Sequence, residues 1–168
     1  MIEKLQIAAL LPELILLVMA LVIAMVDLFD TSLRRQTTYI LTLMTLSLVA
    51  ILQAFNASDG ATVYSFGGMV VSDPMGNWLK CFSTLSVMVT LVYGRPYAAQ
   101  RDMLRIGGEL FTLGLFALLG MYVMISGNNF LVLYLGVELL ALSSYALVAL
   151  RRDNATASEA AMKYFILG

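Results

Sequence analysis

The stretch Tyr134–Ala149, YLGVELLALSSYALVA, reads as the interior of a membrane helix, yet it carries a carboxylate, Glu138, near its centre. A charge at the middle of a bilayer-spanning helix costs at least ~2.5–3.5 kcal/mol. The rest of the chain points to the same solvent. Of 168 residues, 61% are apolar and 12% charged, and mean hydropathy is +0.89. Soluble domains carry about 25% charged residues. So few charges cannot coat a globule with polar surface, so the chain reads as embedded in lipid.

The same composition excludes several chemistries. A net charge of −1 is wrong for a strongly basic nucleic-acid binder. The single cysteine, Cys81, rules out an intrachain disulfide and a cysteine-based metal cluster. The absence of histidine removes the usual metal ligand and the usual proton shuttle near neutral pH. Proton chemistry here falls to Lys, Glu, Asp, Tyr or water.

Crossing the hydrocarbon core takes about 20 mostly apolar residues in a helix. Five stretches qualify, at roughly 8–29, 37–56, 75–94, 107–126 and 128–149, and a sixth begins near 156 and runs to Gly168. About 13 residues rise only ~20 Å, short of the ~30 Å core. The expectation is an all-α integral membrane protein, a polytopic helix bundle of five complete transmembrane helices plus the start of a sixth. Residues 1–168 form a single transmembrane domain, expected to be a fragment of a longer protein. The first span is too long for a signal-peptide core, is interrupted by Pro12 and Glu13, and shows no small-residue cleavage site, so it reads as a retained helix.

Arginines alternate between loops. Arg34 and Arg35, then Arg95, Arg101 and Arg105, then Arg151 and Arg152 mark three loops, whereas 57–73 and the Gly127-Asn128-Asn129 turn have no basic residue. Only Lys4 stands on the N-terminal side. The positive-inside rule puts the arginine loops in the cytoplasm and the N-terminus outside. The outer loop 57–73 is polar and Gly-rich, and its SFGGMVV core suggests a short strand or hairpin arm on the outer face. Asp73-Pro74 reads as a helix start, with proline where its missing N–H costs nothing.

Most charges lie near helix ends. Glu13 and Asp27 are expected to reach headgroups or water, Glu109 to complement a helix dipole, and Lys80 to snorkel outward. Glu138 is different: it lies ~15 Å into its helix, too deep for a short side chain to surface. It is either a permanently protonated packing group or a titrating site on a proton or ion path. Thr156-Ala157-Ser158-Glu159 has the capping-box pattern, which places Lys163 about 10 Å below the cytoplasmic end. Lys163 either snorkels back or faces inward. Burial disfavours the charged form of an acid and of a base, and a close partner restores it. An acid at mid-depth and a base about two turns nearer the cytoplasm therefore form a candidate proton relay. Ser143, Ser144, Tyr145 and Tyr164 read as packing contacts, and Gly114, Ala117 and Gly120 as a small-residue face.

FLVLYLGVELLALSSYALVAL (130–150), an arginine-bearing loop, and SEAAMKYFILG (158–168) together resemble the antiporter-like membrane subunits of respiratory complex I, the NADH–quinone oxidoreductases. The opening LLPELILLVMALVIAMVDLFD (10–30) and Ser72-Asp73-Pro74 support the resemblance. It covers the whole chain but roughly the first third of a family member, and it implies a longer fold built on inverted helix repeats. It also implies that Glu138 matches the family's proton-translocating glutamate and Lys163 a lysine on the following helix. No quinone, nucleotide or other cofactor site is implied in this chain. The resemblance further implies that redox chemistry belongs to partner subunits, which would handle NADH and quinone, in a bacterial inner membrane. Two alternatives remain: a subunit of a multisubunit cation/proton antiporter or membrane-bound hydrogenase, and a structural membrane scaffold in which Glu138 is a neutral packing residue.

Overall fold

A computed structural model of the chain describes residues 10–30, 35–101, 103–104, 108–151 and 154–167. Lys4, Arg34, Arg105, Arg152 and Gly168, used in the reading above, lie outside the described residues. The described helices are α1 (Leu11–Phe29), α2 (Gln36–Ser58), α3 (Pro74–Gln100), α4 (Glu109–Ser126), α5 (Phe130–Val148) and α6 (Ala155–Leu167). Between α2 and α3 lie two short strands, β1 (Val63–Ser65) and β2 (Val70–Ser72).

Each helix buries a stripe at helical spacing. On α1 it is Leu16, Ala20, Ile23 and Asp27, each three or four residues after the last, as a 3.6-residue turn requires. The α2 stripe includes Thr38, Thr42 and Thr45. Thr42 and Thr45 donate to the carbonyls of Thr38 and Leu41 at 2.8 Å, so their hydroxyls are satisfied within their own helix and the face can be buried. At the centre is α4, which touches α1, α2, α3 and α5 and contributes Phe111, Leu115, Leu118 and Tyr122 to the core. By contrast α6 rests on α5, with Tyr145 edge-on to Tyr164 at 4.8 Å and to Phe165 at 5.5 Å.

Four helices, α1, α2, α4 and α5, are long and apolar enough to cross a membrane. The longest helix, α3, at 27 residues, falls short on apolarity because Asn77, Lys80, Thr84 and Arg95 interrupt it. Its start follows the expected chemistry: Asp73 accepts from the Gly76 N–H at 3.3 Å and Pro74 occupies the first turn.

The segment before α3 is an antiparallel hairpin pairing Val63 with Ser72, Tyr64 with Val71 and Ser65 with Val70. Its turn needs positive φ at Gly67 (64°) and Gly68 (86°), which glycine adopts without steric cost. The hairpin is fastened to the α4–α5 turn. Val70 bridges to Gly127, and Asn128 donates from its backbone to Met69 O at 2.9 Å and from its side chain to Gly68 O at 2.8 Å.

The opposite end of the bundle is basic. Arg35, Arg95, Arg101 and Arg151, the arginines among the described residues, all stand there, at the ends of α2, α3 and α5. Arg95 bonds Gln36 at 2.7 Å and stacks over the Tyr39 ring at 4.0 Å. Asp27 does not reach for headgroups. Its carboxylate accepts from the Thr38 hydroxyl at 2.8 Å and from the Gly108 N–H at 2.7 Å, and Arg35 lies 3.7 Å from it. A carboxylate from α1 thus sits at the positive N-terminus of α4.

Candidate functional site

The two residues singled out from sequence are both exposed in this chain. Glu138 is two residues from Gly136, which is buried against α4. Two residues turn a helix by about 200°, so Glu138 points away from that contact. Lys163 is 68% exposed and pairs with Glu159, one turn back, at 2.6 Å. Among the described residues no hydrogen bond or ion pair joins Glu138 to Lys163. The expected capping box is also absent in that form. Asn154 caps α6, its side-chain oxygen accepting from the N–H groups of Thr156 at 3.0 Å and Ala157 at 3.2 Å. Asparagine is as good a cap as threonine, and Glu159 is left free to reach Lys163.

Ser143 and Ser144 bond back to the carbonyls of Leu139 and Leu140, at 2.7 and 2.8 Å. Gly114 and Gly120 do not share a face: Gly114 meets the Leu91 side chain on α3, whereas Gly120 meets the backbone of α5. Six residues rotate a helix by about 240°, which separates them.

A polar cluster that position along the sequence did not reveal lies inside the bundle. Lys80 is 1% exposed and does not snorkel; its ammonium donates to Glu13 Oε1 at 2.5 Å. The Ser126 hydroxyl stands 3.5 Å from the same oxygen, and the Tyr122 ring lies 5.9 Å from the Lys80 nitrogen. The Tyr122 hydroxyl bonds the Thr84 hydroxyl, which also donates to Lys80 O at 2.8 Å. Fully buried Gln53 approaches the Tyr122 hydroxyl from α2, and neither of its amide atoms makes a hydrogen bond of good geometry among the described residues. The second oxygen of Glu13 is buried and makes no hydrogen bond among the described residues, and Glu13 is one of the residues lining a cavity of about 600 Å³ between α1, the hairpin, α4 and α5.

Glu13 and Lys80 are 67 residues apart, and each alone reads as a helix-end charge. Matching depths would have paired them: Glu13 is near the start of α1 and Lys80 near the start of α3, and both starts face the hairpin.

Comparison with known proteins places the chain. Residues 127–168 match the family described as NADH:quinone oxidoreductase/Mrp antiporter, transmembrane. Over all 168 residues the chain is 68% identical to NADH-quinone oxidoreductase subunit N of Polaromonas naphthalenivorans, covering 100% of this chain and 33% of the relative. It is 50% identical over 168 residues to subunit N of Herminiimonas arsenicoxydans, covering 99% and 34%. The chain is homologous to NADH-quinone oxidoreductase subunit N. It spans about one third of the length of these subunit N relatives. The antiporter-like match contains Glu138 and Lys163; Glu13 and Lys80 lie before it. Homology to subunit N and several helices able to cross a membrane make this a multi-pass membrane protein.

Proposed function

We propose that this chain forms part of the proton-translocating membrane portion of an NADH:quinone oxidoreductase, with Glu138 and Lys163 as its proton-transfer groups. The observation that carries this reading is the 68% identity to subunit N along the whole chain, with both residues inside the antiporter-like segment. In this reading Glu138 stands on the open face of α5, where other protein or water must meet it, because lipid would not. Lys163 leaves Glu159 and turns toward that path when its partners are in place. The ion pair holding Lys163 is exposed at both ends, so exchanging it costs only about 0.5 kcal/mol.

The same reading counts α3 as a fifth span, its lysine neutralised inside the bundle by Glu13, and α6 as the beginning of a sixth. The N-terminus lies outside, since the described arginines gather at the opposite end from the start of α1. The membrane is the bacterial inner membrane, as the bacterial relatives suggest, and the partners are other complex I membrane subunits. Redox cofactors, NADH and quinone belong to other subunits. A multisubunit cation/proton antiporter is the second reading, because the family description names Mrp antiporters too.

The test is NADH-driven proton pumping in inverted membrane vesicles carrying Glu138→Gln in the full-length protein within its assembly. Assembly and NADH:quinone turnover are measured alongside. Pumping and turnover fall together, with Glu138→Asp retaining activity. Wild-type pumping in Glu138→Gln overturns the assignment of Glu138, and pumping independent of NADH favours the antiporter reading.

A further inference from the structure

We propose that Glu13 and Lys80 form a second proton-exchanging site, which opens to the hairpin end of the bundle through the cavity beside Glu13. The proposal rests on reading the chain as part of a proton-translocating assembly.

Three observations converge on it. The pair is buried, with Lys80 1% exposed and its ammonium 2.5 Å from Glu13 Oε1. A buried ion pair is poor value for stability alone, because an apolar pair of similar size often does as well or better. Glu13 is in the wall of the cavity with Ser126 and Ser65, and its buried Oε2 has no hydrogen-bond partner among the described residues. A cavity of about 600 Å³ with these polar groups has room and partners for water. On the inner side, fully buried Gln53 stands beside the Tyr122 hydroxyl, which bonds Thr84, and neither of its amide atoms makes a hydrogen bond of good geometry among the described residues. The pair thus stands between a cavity at the hairpin end and a buried polar patch. The titratable neighbour that faces it is Tyr122 on α4, and Cys81, next to Lys80 on α3, interacts with Tyr122 and turns its thiol to Ala50 O on α2.

The transfer balances without electrons or a cofactor. A proton passes from Lys80 Nζ to Glu13 Oε1: one N–H bond breaks, one O–H bond forms, and both groups become neutral. Rotation of the carboxyl group turns the acid toward the cavity, where it gives the proton to water and becomes a carboxylate. The Lys80 amine then takes a proton from water on the Gln53–Tyr122 side. One proton has moved outward and the ion pair is restored.

The discriminating variant is the double substitution Glu13→Gln/Lys80→Met in the full-length protein within its assembly, assayed in inverted vesicles beside Glu138→Gln. A purely structural pair predicts wild-type pumping, since no buried charge is left alone. The transfer site predicts normal assembly with pumping reduced about tenfold, less than the ~10²–10⁴ of a single dominant proton-transfer group. Wild-type pumping in the double variant, with pumping reduced in Glu138→Gln, overturns this proposal alone. Wild-type pumping in both overturns the underlying reading as well. A second measurement needs no variant. An apolar carbodiimide adds only across the O–H of a protonated carboxylic acid, so its attachment to the Glu13 peptide of the native assembly is followed by mass spectrometry. Labelling of Glu13 that rises as pH falls supports the site. An unlabelled Glu13 at every pH overturns it, even if the double variant fails to assemble.

Discussion

Gly120 of α4 and Gly136 of α5 face each other at backbone contact. A Cβ on Gly120 would stand 2.7 Å from the Leu140 nitrogen and 3.0 Å from the Gly136 oxygen. One on Gly136 would stand 2.8 Å from the Met124 nitrogen and 3.0 Å from the Gly120 oxygen. Small residues that let helix backbones meet are a recurring device in membranes, where packing rather than water exclusion holds helices together.

Gly120→Ala and Gly136→Ala each force α4 and α5 apart: the Met124 side chain, 2.7 Å from a Cβ on Gly136, can rotate aside, but the backbone atoms within about 3 Å of either Cβ cannot. The expected loss is about 1–3 kcal/mol, the usual cost of overpacking. Thermal unfolding of the detergent-solubilised full-length protein measures it, and an unchanged transition would show that the helices separate without cost.

Asp27→Ala strips the Thr38 hydroxyl and the Gly108 N–H of their acceptor and leaves Arg35 without its carboxylate neighbour. Unpaired buried donors cost ~1–3 kcal/mol each. Limited proteolysis of the loops around Arg35 and Gly108 is expected to speed up, whereas Asp27→Asn, which keeps an acceptor oxygen, retains part of the protection.

Lys80→Met alone leaves the Glu13 carboxylate buried without its cation. Breaking one side of a buried pair costs about 3–5 kcal/mol, and removing both sides is often neutral. The yield of assembled complex is therefore expected to drop for Lys80→Met and to recover when Glu13→Gln is added. Equal yields for the single and double variants would mean that the two residues are not energetically coupled.

Asp73→Ala removes the side-chain acceptor for the Gly76 N–H. An N-cap of this kind contributes about 1 kcal/mol. Hydrogen exchange at the first turn of α3 is expected to accelerate about fivefold, since ~1.4 kcal/mol corresponds to tenfold. Exchange elsewhere in α3 stays near wild type.

The helices were legible because each depends on a local run. The apolar stretches, the Asp73-Pro74 start and the strand-forming 57–73 segment all rest on neighbours in sequence. Clustering of arginines at one end was legible for the same reason, since helix lengths alone bring alternate loops together. Pairing was not. Glu13, Lys80 and Asp27 each looked like an end charge free to find headgroups, and only the packing of α1 and α3 against α4 turns them inward. Asn154 won the cap of α6 from Thr156 because both are good caps, and the choice between them depends on where the preceding loop enters. Glu138 stood out by depth in the sequence, but which face of α5 carries it depends on Gly136, whose role needs α4 opposite it.

The buried contact between Glu13 and Lys80 also imposes a schedule on biosynthesis. The two residues are separated by 67 positions, and at about 5–20 residues per second the ribosome needs roughly 3–13 s to deliver the lysine after the glutamate. For that interval α1 is a greasy segment with an unmatched carboxylate, poorly suited to release into lipid alone. The insertion machinery has reason to hold α1 until α3 emerges, so the first helices enter the bilayer as a group rather than one by one.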